Sequence, residues 1–221
     1  MPGRLENSIV RFLLLLCNDS LTTEETEEAA VLGAEISDWG RFTDLAVKNG
    51  IAAFIHENIL EHHLQHLLPE EELNRLHAFK NKTLARVTFL NAAAAEITGI
   101  LDKHGIKTVL LKGTALEATV YGSRGLRQMN DIDILVPENR CMEAWDIIHK
   151  HGYEDRPLKS PLYKKIVTGL GNHLPELHAR GISVDIHHSL FQQHGRQLTA
   201  RGIDEALPVN VSGVRSYVLP P

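Results

Sequence analysis

The sequence has few cysteines, few aromatic residues and no long apolar run, and each shortage narrows the class of protein. Only Cys17 and Cys141 are cysteines among 221 residues, too few for a disulfide framework or a cysteine zinc cluster. This usage fits a reducing compartment, so we expect a cytoplasmic protein. Aromatic residues make up 5% of the chain and form no recognisable ligand cage.

The chain also lacks a strong charge of either sign. A net charge of -5 argues against a broad duplex nucleic-acid surface, although a local basic patch stays open. The Lys164-Lys165 pair is small, and solvated surface is its simpler interpretation. The apolar run Val10–Leu16 is too short to cross a bilayer, so we predict a buried helix face and no membrane partner.

The first half of the sequence has the pattern of a helical region. Apolar residues recur at helical spacing from Leu73 to Lys103, after Pro69 and three acids, and the pattern stops at His104-Gly105. Further helices are predicted over Glu24–Leu32, with Thr22 or Thr23 as a cap, then up to Asn49-Gly50, and over Ile51–Leu60. We therefore predict a helical N-terminal region over residues 1–105.

Strand and helix patterns alternate in the second half. Strands are predicted over Ile106–Leu111 and Asp131–Val136, helices over Ala115–Val120 and from Pro137 to about Lys150, a loop over Tyr121–Met129, and a hairpin over Leu174–His188 with its turn at Ala179-Arg180-Gly181. Alternation of this kind fits an α/β or α+β domain. With the helical first half, we predict an α+β fold whose small mixed β-sheet core, flanked by helices, occupies residues 106–221.

Asp131-Ile132-Asp133 opens the second predicted strand and is the most informative stretch of the chain. Side chains two residues apart share a strand face, so the two carboxylates should stand side by side. Like charges at close range raise each other's pKa. A hard divalent cation with oxygen ligands, such as Mg²⁺, would relieve the repulsion. Two solvated acids at a strand edge are the alternative.

Two further pieces accompany the acid pair. Asp185 lies mid-strand between Val184 and Ile186, where Asp is depleted, although an exposed Asp on the polar face is an alternative. Lys112-Gly113-Thr114 separates a strand from a helix, and such a turn favours a phosphate at the helix N-terminus, although plain turns of this kind are common. Three carboxylates on adjacent strands can hold two divalent ions around a phosphoryl displacement.

The ordered motifs resemble the nucleotidyltransferase superfamily of DNA polymerase β type, and more narrowly the bacterial uncharacterised nucleotidyltransferase family. The similarity covers most of the chain and rests on KG-x-A-L at Lys112–Leu116, R-x-x-x-D-I-D at Arg127–Asp133 and V-D-x-H at Val184–His187. In the superfamily Lys112 stands where a first glycine is common, and the gap from Gly113 to Asp131 is longer. The resemblance also leads us to expect C-terminal helices beyond Pro221.

The resemblance implies a role for each matching residue. Asp131, Asp133 and Asp185 would be catalytic and would bind Mg²⁺ or Mn²⁺. Nucleotide binding would involve the following residues: Lys112, Gly113, Thr114 and Arg127. His187 would orient Asp185 from the same strand face, with a surface histidine as the alternative.

The implied reaction moves an NMP from an NTP to an unknown hydroxyl acceptor, which is a small molecule, a protein or an RNA end. A non-catalytic nucleotide-binding module and a toxin–antitoxin nucleotidyltransferase are the alternatives.

Overall fold

The computed structural model describes residues 2–18, 20–155, 171–191 and 195–221, which fold into two compact units. The first unit comprises Met1–Val87 and Arg124–Gln128, and the second comprises Thr88–Ser123 and Met129–Pro221. The Lys164-Lys165 pair lies outside the described residues. The boundary between the units falls inside one long helix, and the division into domains at residue 105 stays a prediction.

The first unit is built from helices. They are α1 Pro2–Leu15, α2 Thr23–Glu35, α3 Trp39–Lys48, α4 Ala52–Glu61, a short 3-10 helix Gln65–Leu67, and α5 Glu70–Lys103, which continues into the second unit. The predicted cap of α2 is confirmed at Thr22, whose hydroxyl accepts from the Glu25 amide while the Glu25 carboxylate accepts from the Thr22 amide. This reciprocal capping satisfies two amides that the helix cannot.

Aromatic packing anchors the core of the first unit. The ring of Phe12 on α1 meets Trp39 edge-on at 5.9 Å, and Trp39 meets Phe42 at 5.2 Å. Phe12 and Leu16 are fully buried whereas Leu14 is exposed, so the apolar run at the end of α1 is the buried helix face that its pattern predicts.

By length and composition alone, α5 could cross a bilayer. A core helix passes the same test, and half of the apolar window of α5 is buried inside the protein. Leu76, Leu90, Ile97 and Leu101 on this helix are fully buried. The helix is therefore weak evidence for a membrane span.

A mixed sheet forms the second unit, and it confirms the α+β fold. Its described strands are β1 Val109–Leu110, β2 Asp131–Leu135, β3 Glu154–Asp155, β4 Leu177–Ala179, β5 Ile182–His187, β6 Leu207–Val211 and β7 Val214–Val218. They are ordered β3-β4-β5-β2-β1-β7-β6, and the β2–β5 and β1–β7 pairs are parallel. Its described helices, besides the end of α5, are α6 Lys112–Thr119, α7 Cys141–Lys150 and α8 Arg196–Asp204.

Some predicted boundaries of the second half are wrong. The first strand is only Val109–Leu110, because the Ile106 amide still donates to Leu101 in the α5 cap and α6 already begins at Lys112. The helix predicted from Pro137 starts as a 3-10 turn, and α7 proper begins at Cys141.

The predicted hairpin is confirmed, although β4 begins only at Leu177. Its turn residues Arg180 and Gly181 have φ values of 50° and 73°, as a two-residue primed turn requires.

Candidate metal and phosphate site

The carboxylates lie on one face of two adjacent strands. The parallel β2–β5 register places Asp131 opposite Ser183 and Asp133 opposite Asp185. Neighbouring strands lie about 4.8 Å apart, whereas residues i and i+2 along one strand are roughly 6.6 Å apart. Asp133 is therefore closer to Asp185, on the neighbouring strand, than to Asp131 on its own strand.

One group of potential metal ligands forms within the described part of the chain, and it contains Asp133, Asp185 and His187. Their ligand atoms all lie within 4.8 Å of one another. Asp131 shares the face but is not a member of this group. Two carboxylates and an imidazole form a donor set that suits a divalent ion. The roles predicted for the individual acids stay predictions.

Asp133 is the centre of this group. Its side chain is 3% exposed, and its Oδ1 accepts from Lys112 Nζ at 2.5 Å and lies 2.8 Å from His187 Nε2. His187 is buried, so the alternative of a surface histidine is wrong. The His187 ring contacts Asp133 directly, whereas Asp185 is only a member of the same group of potential ligands. The role of His187 in orienting Asp185 stays a prediction.

The two central carboxylates have pKa values shifted in opposite directions. Burial raises the pKa of Asp133, but hydrogen bonds from His187 and Lys112 outweigh it, so the pKa of Asp133 is lowered. The pKa of Asp185 is raised by burial and by the charges of Asp133 and Glu176. The expectation that Asp131 and Asp133 raise each other's pKa fails at Asp133, because a cation and an imidazole contact it.

The start of α6 is tied to the middle of β2. The Leu111 amide donates to the Asp133 carbonyl at 3.0 Å, which brings Lys112 beside the Asp133 side chain. Lys112 has a φ of 45°, in the left-handed region that favours glycine. Lys112 therefore adopts a backbone conformation typical of glycine at the turn that leads into α6.

Gly113 and Thr114 form the first turn of α6, where backbone amides have no partner within the helix. Thr114 is 1% exposed, and its hydroxyl has no hydrogen-bond partner among the described residues. A phosphate at this turn would therefore meet backbone amides rather than the threonine hydroxyl. Arg127 belongs to the first unit, and its role in phosphate binding stays a prediction.

A polar chain beside the acids was missed by the sequence analysis. Ser183 Oγ lies 3.0 Å from His178 Nδ1, and His178 Nε2 lies 3.1 Å from Glu176 Oε2, an ion-pair distance rather than an aligned hydrogen bond. The β4–β5 register puts His178 opposite Ser183, on the face of Asp185. Strand alternation back from the predicted turn would have indicated these residues.

The chain matches a known protein family over most of its length. A family model described as uncharacterised nucleotidyltransferase matches residues 35–221. The chain belongs to this family. Neither the curated proteins nor the solved structures contain a match. Membership in the uncharacterised nucleotidyltransferase family supports a transferase with an NTP substrate, and the buried Asp-Asp-His group is a site that could hold a metal ion.

Proposed function

We propose that this protein is a nucleotidyltransferase that uses Mg²⁺ or Mn²⁺ to move an NMP from an NTP to a hydroxyl acceptor, with release of pyrophosphate. The observation that carries the proposal is the cluster of Asp133, Asp185 and His187 beside the α6 turn at Lys112. Family membership over residues 35–221 supports the same reaction class. We also propose that the mixed-sheet unit has the fold of polymerase β-type nucleotidyltransferases.

The acids have separate tasks in this proposal. Asp131, Asp133 and Asp185 would hold divalent ions, which when bound polarise the transferred phosphoryl group and favour deprotonation of the acceptor hydroxyl. Asp185 has the higher proton affinity of the two central acids, because its pKa is raised while that of Asp133 is lowered. We assign Asp185 the activation of the acceptor hydroxyl because the β2–β5 register places it directly opposite Asp133.

The phosphates of the nucleotide would be bound by backbone amides at the start of α6 and by positively charged side chains. The amides of Gly113 and Thr114 would cradle the triphosphate at the N-terminus of α6, where the helix dipole favours an anion. The Lys112 ammonium lies between this turn and Asp133, so it can neutralise phosphate charge. Arg127 would act in the same way.

The test is turnover of each NTP by the full chain with Mg²⁺ or Mn²⁺. Pyrophosphate release is measured, and candidate acceptors are searched by mass spectrometry for an added NMP. Asp131→Asn, Asp133→Asn and Asp185→Asn should each lower turnover about 100-fold or more, since each removes charge stabilisation from the reacting centre. Asp102→Asn, an exposed acid on α5, is the matched control and should keep activity.

Two outcomes would contradict the proposal. Unchanged turnover by folded Asp133→Asn protein would remove the acid cluster from the reaction. Tight NTP binding without pyrophosphate release across a broad acceptor screen would indicate a nucleotide-binding module instead. Circular dichroism of each variant separates loss of chemistry from loss of fold.

A further inference from the structure

The donor atoms in the cluster are not those of an all-oxygen site. Asp133 and Asp185 offer carboxylate oxygens, but His187 offers a ring nitrogen within the same 4.8 Å group. Mg²⁺ is a hard ion that takes oxygen ligands and keeps much of its water. Imidazole instead suits first-row ions such as Fe²⁺, Ni²⁺ and Zn²⁺, and Mn²⁺, which mostly takes oxygen ligands, is the first-row divalent ion most similar to Mg²⁺ in its choice of donors.

We infer that this site binds a first-row transition ion in preference to Mg²⁺, and that His187 is one of the ligands. The inference rests on the proposed function and deepens it, because it names the class of ion that the reaction uses. Ligation through Nε2 requires the neutral imidazole tautomer that carries its proton on Nδ1, so the direct contact of Nε2 with Asp133 Oδ1 would give way to an ion shared by the two groups.

The position of His187 is built into the sheet. The Val136 amide donates to the His187 carbonyl at 3.0 Å, so the backbone is fixed between β2 and β5. The side chain is 9% exposed and its Nε2 already contacts Asp133 Oδ1. A ring held in this way loses little conformational freedom when it binds an ion.

The Lys112 ammonium contacts Asp133 Oδ1, an oxygen that a bound metal ion would also use. His187 contacts the same oxygen, and the Lys112 side chain is 56% exposed. An ion held by Asp133 therefore competes with the ammonium, which is free to turn toward solvent or a phosphate. Removing the ammonium should strengthen ion binding by up to about fivefold, the upper end of the range expected for an exposed ion pair.

The next residue in the chain provides a matched control. His188 lines a different cleft, of about 560 Å³, together with Pro137, Arg196 and Thr199. It is not a member of the metal-ligand group. Substitution of His188 therefore changes the histidine content of the same segment without removing a proposed ligand.

The experiment measures ion binding directly, without substrate. Mn²⁺ is titrated into the full chain and followed by electron paramagnetic resonance, with Mg²⁺ as the competitor. Pulsed spectra of bound Mn²⁺ should show coupling to a histidine nitrogen, and ¹⁵N-histidine labelling should change that coupling. His187→Gln should abolish the coupling and lower the preference for Mn²⁺ over Mg²⁺ about tenfold or more, while His188→Gln should change neither. Lys112→Met should bind Mn²⁺ more tightly.

Bound Mn²⁺ without nitrogen coupling in the wild-type protein would overturn the inference, even if no variant folds. Equal preference for the two ions in wild type and folded His187→Gln would overturn it as well. Neither result affects the proposed function, which stands or falls on NTP turnover by the aspartate variants. Conversely, nitrogen-coupled Mn²⁺ in a protein that turns over no NTP would leave the ion site and remove the reaction.

Discussion

Lys112 carries two opposed contributions to stability, and a pair of substitutions separates them. Its φ of 45° places a side chain in the left-handed region, which costs roughly 1–2 kcal/mol for a residue other than glycine. Its ion pair with Asp133 is half-exposed on the lysine side, so the pair contributes only about 0.2–1 kcal/mol. Lys112→Ala loses the pair and keeps the strain, whereas Lys112→Gly loses both.

Glycine also increases the conformational freedom of the unfolded chain, which costs about 0.4–1 kcal/mol. The strain relief exceeds this cost, so Lys112→Gly should be more stable than Lys112→Ala by up to about 1.5 kcal/mol. Lys112→Ala itself should be about 0.2–1 kcal/mol less stable than the wild type. The order of the two variants is the sharp part of the prediction.

Urea unfolding followed by tryptophan fluorescence measures this order in the right part of the molecule. The chain has two tryptophans, Trp39 in the first unit and Trp145 in the second. In a Trp39→Phe background, Trp145 reports the unit that contains Lys112, which avoids assuming that both units unfold together. Ser123, with a φ of 59°, gives a second glycine–alanine comparison in the same unit. An alanine variant at position 112 as stable as the glycine variant would refute the strain argument.

Two further predictions concern the first unit. Burial, together with Lys80, lowers the pKa of His56 to about 4, so its contribution to stability is complete above about pH 6.5 and is lost as the pH falls toward 4. The unfolding free energy should fall by up to about 3 kcal/mol over that window and less in His56→Phe, and equal losses in both proteins would contradict the assignment. A Cβ on Gly125 would lie 2.6 Å from Leu84 Cα at a φ of 66°, so Gly125→Ala should cost about 2–4 kcal/mol in thermal unfolding. Gly122→Ala, three residues away but in the second unit, has a φ of 62° with no described atom within 4 Å, so it should cost only about 1–2 kcal/mol, and equal costs would exclude the clash.

Local patterns were sufficient to predict much of the fold. The long apolar periodicity after Pro69 predicts α5, which ends before His104 as expected. The turn at Arg180-Gly181 predicts the β4–β5 hairpin. These features depend on residues near one another in the chain, so helix spacing, caps and turn chemistry determine them.

The composition of the site could not be predicted in the same way. Strand alternation correctly places Asp131 and Asp133 on one face, but it does not identify the neighbouring strand or its register. The pairing of Asp133 with Asp185 is a contact across 52 positions, and it brings His187 to Asp133 at 2.8 Å. The hairpin of β6 and β7 was also missed, because Pro208 interrupts the strand pattern and is tolerated only since β6 is at the sheet edge.

The two central acids are compensated unequally within the chain, and this difference adds to the geometric argument for a bound cation. Asp133 is compensated within the chain by Lys112 and His187, and its pKa is lowered as a result. Asp185 receives no hydrogen bond on its side chain within the described part of the chain, and burial with the charges of Asp133 and Glu176 raises its pKa. Holding this half-buried carboxylate beside other acids costs free energy that His173 and His187 offset only in part, and Lys112, the lysine that the described residues bring to the site, contacts Asp133 instead. A divalent ion beside Asp185 would remove that cost, so the unbalanced charge is located where the proposed reaction would need its metal.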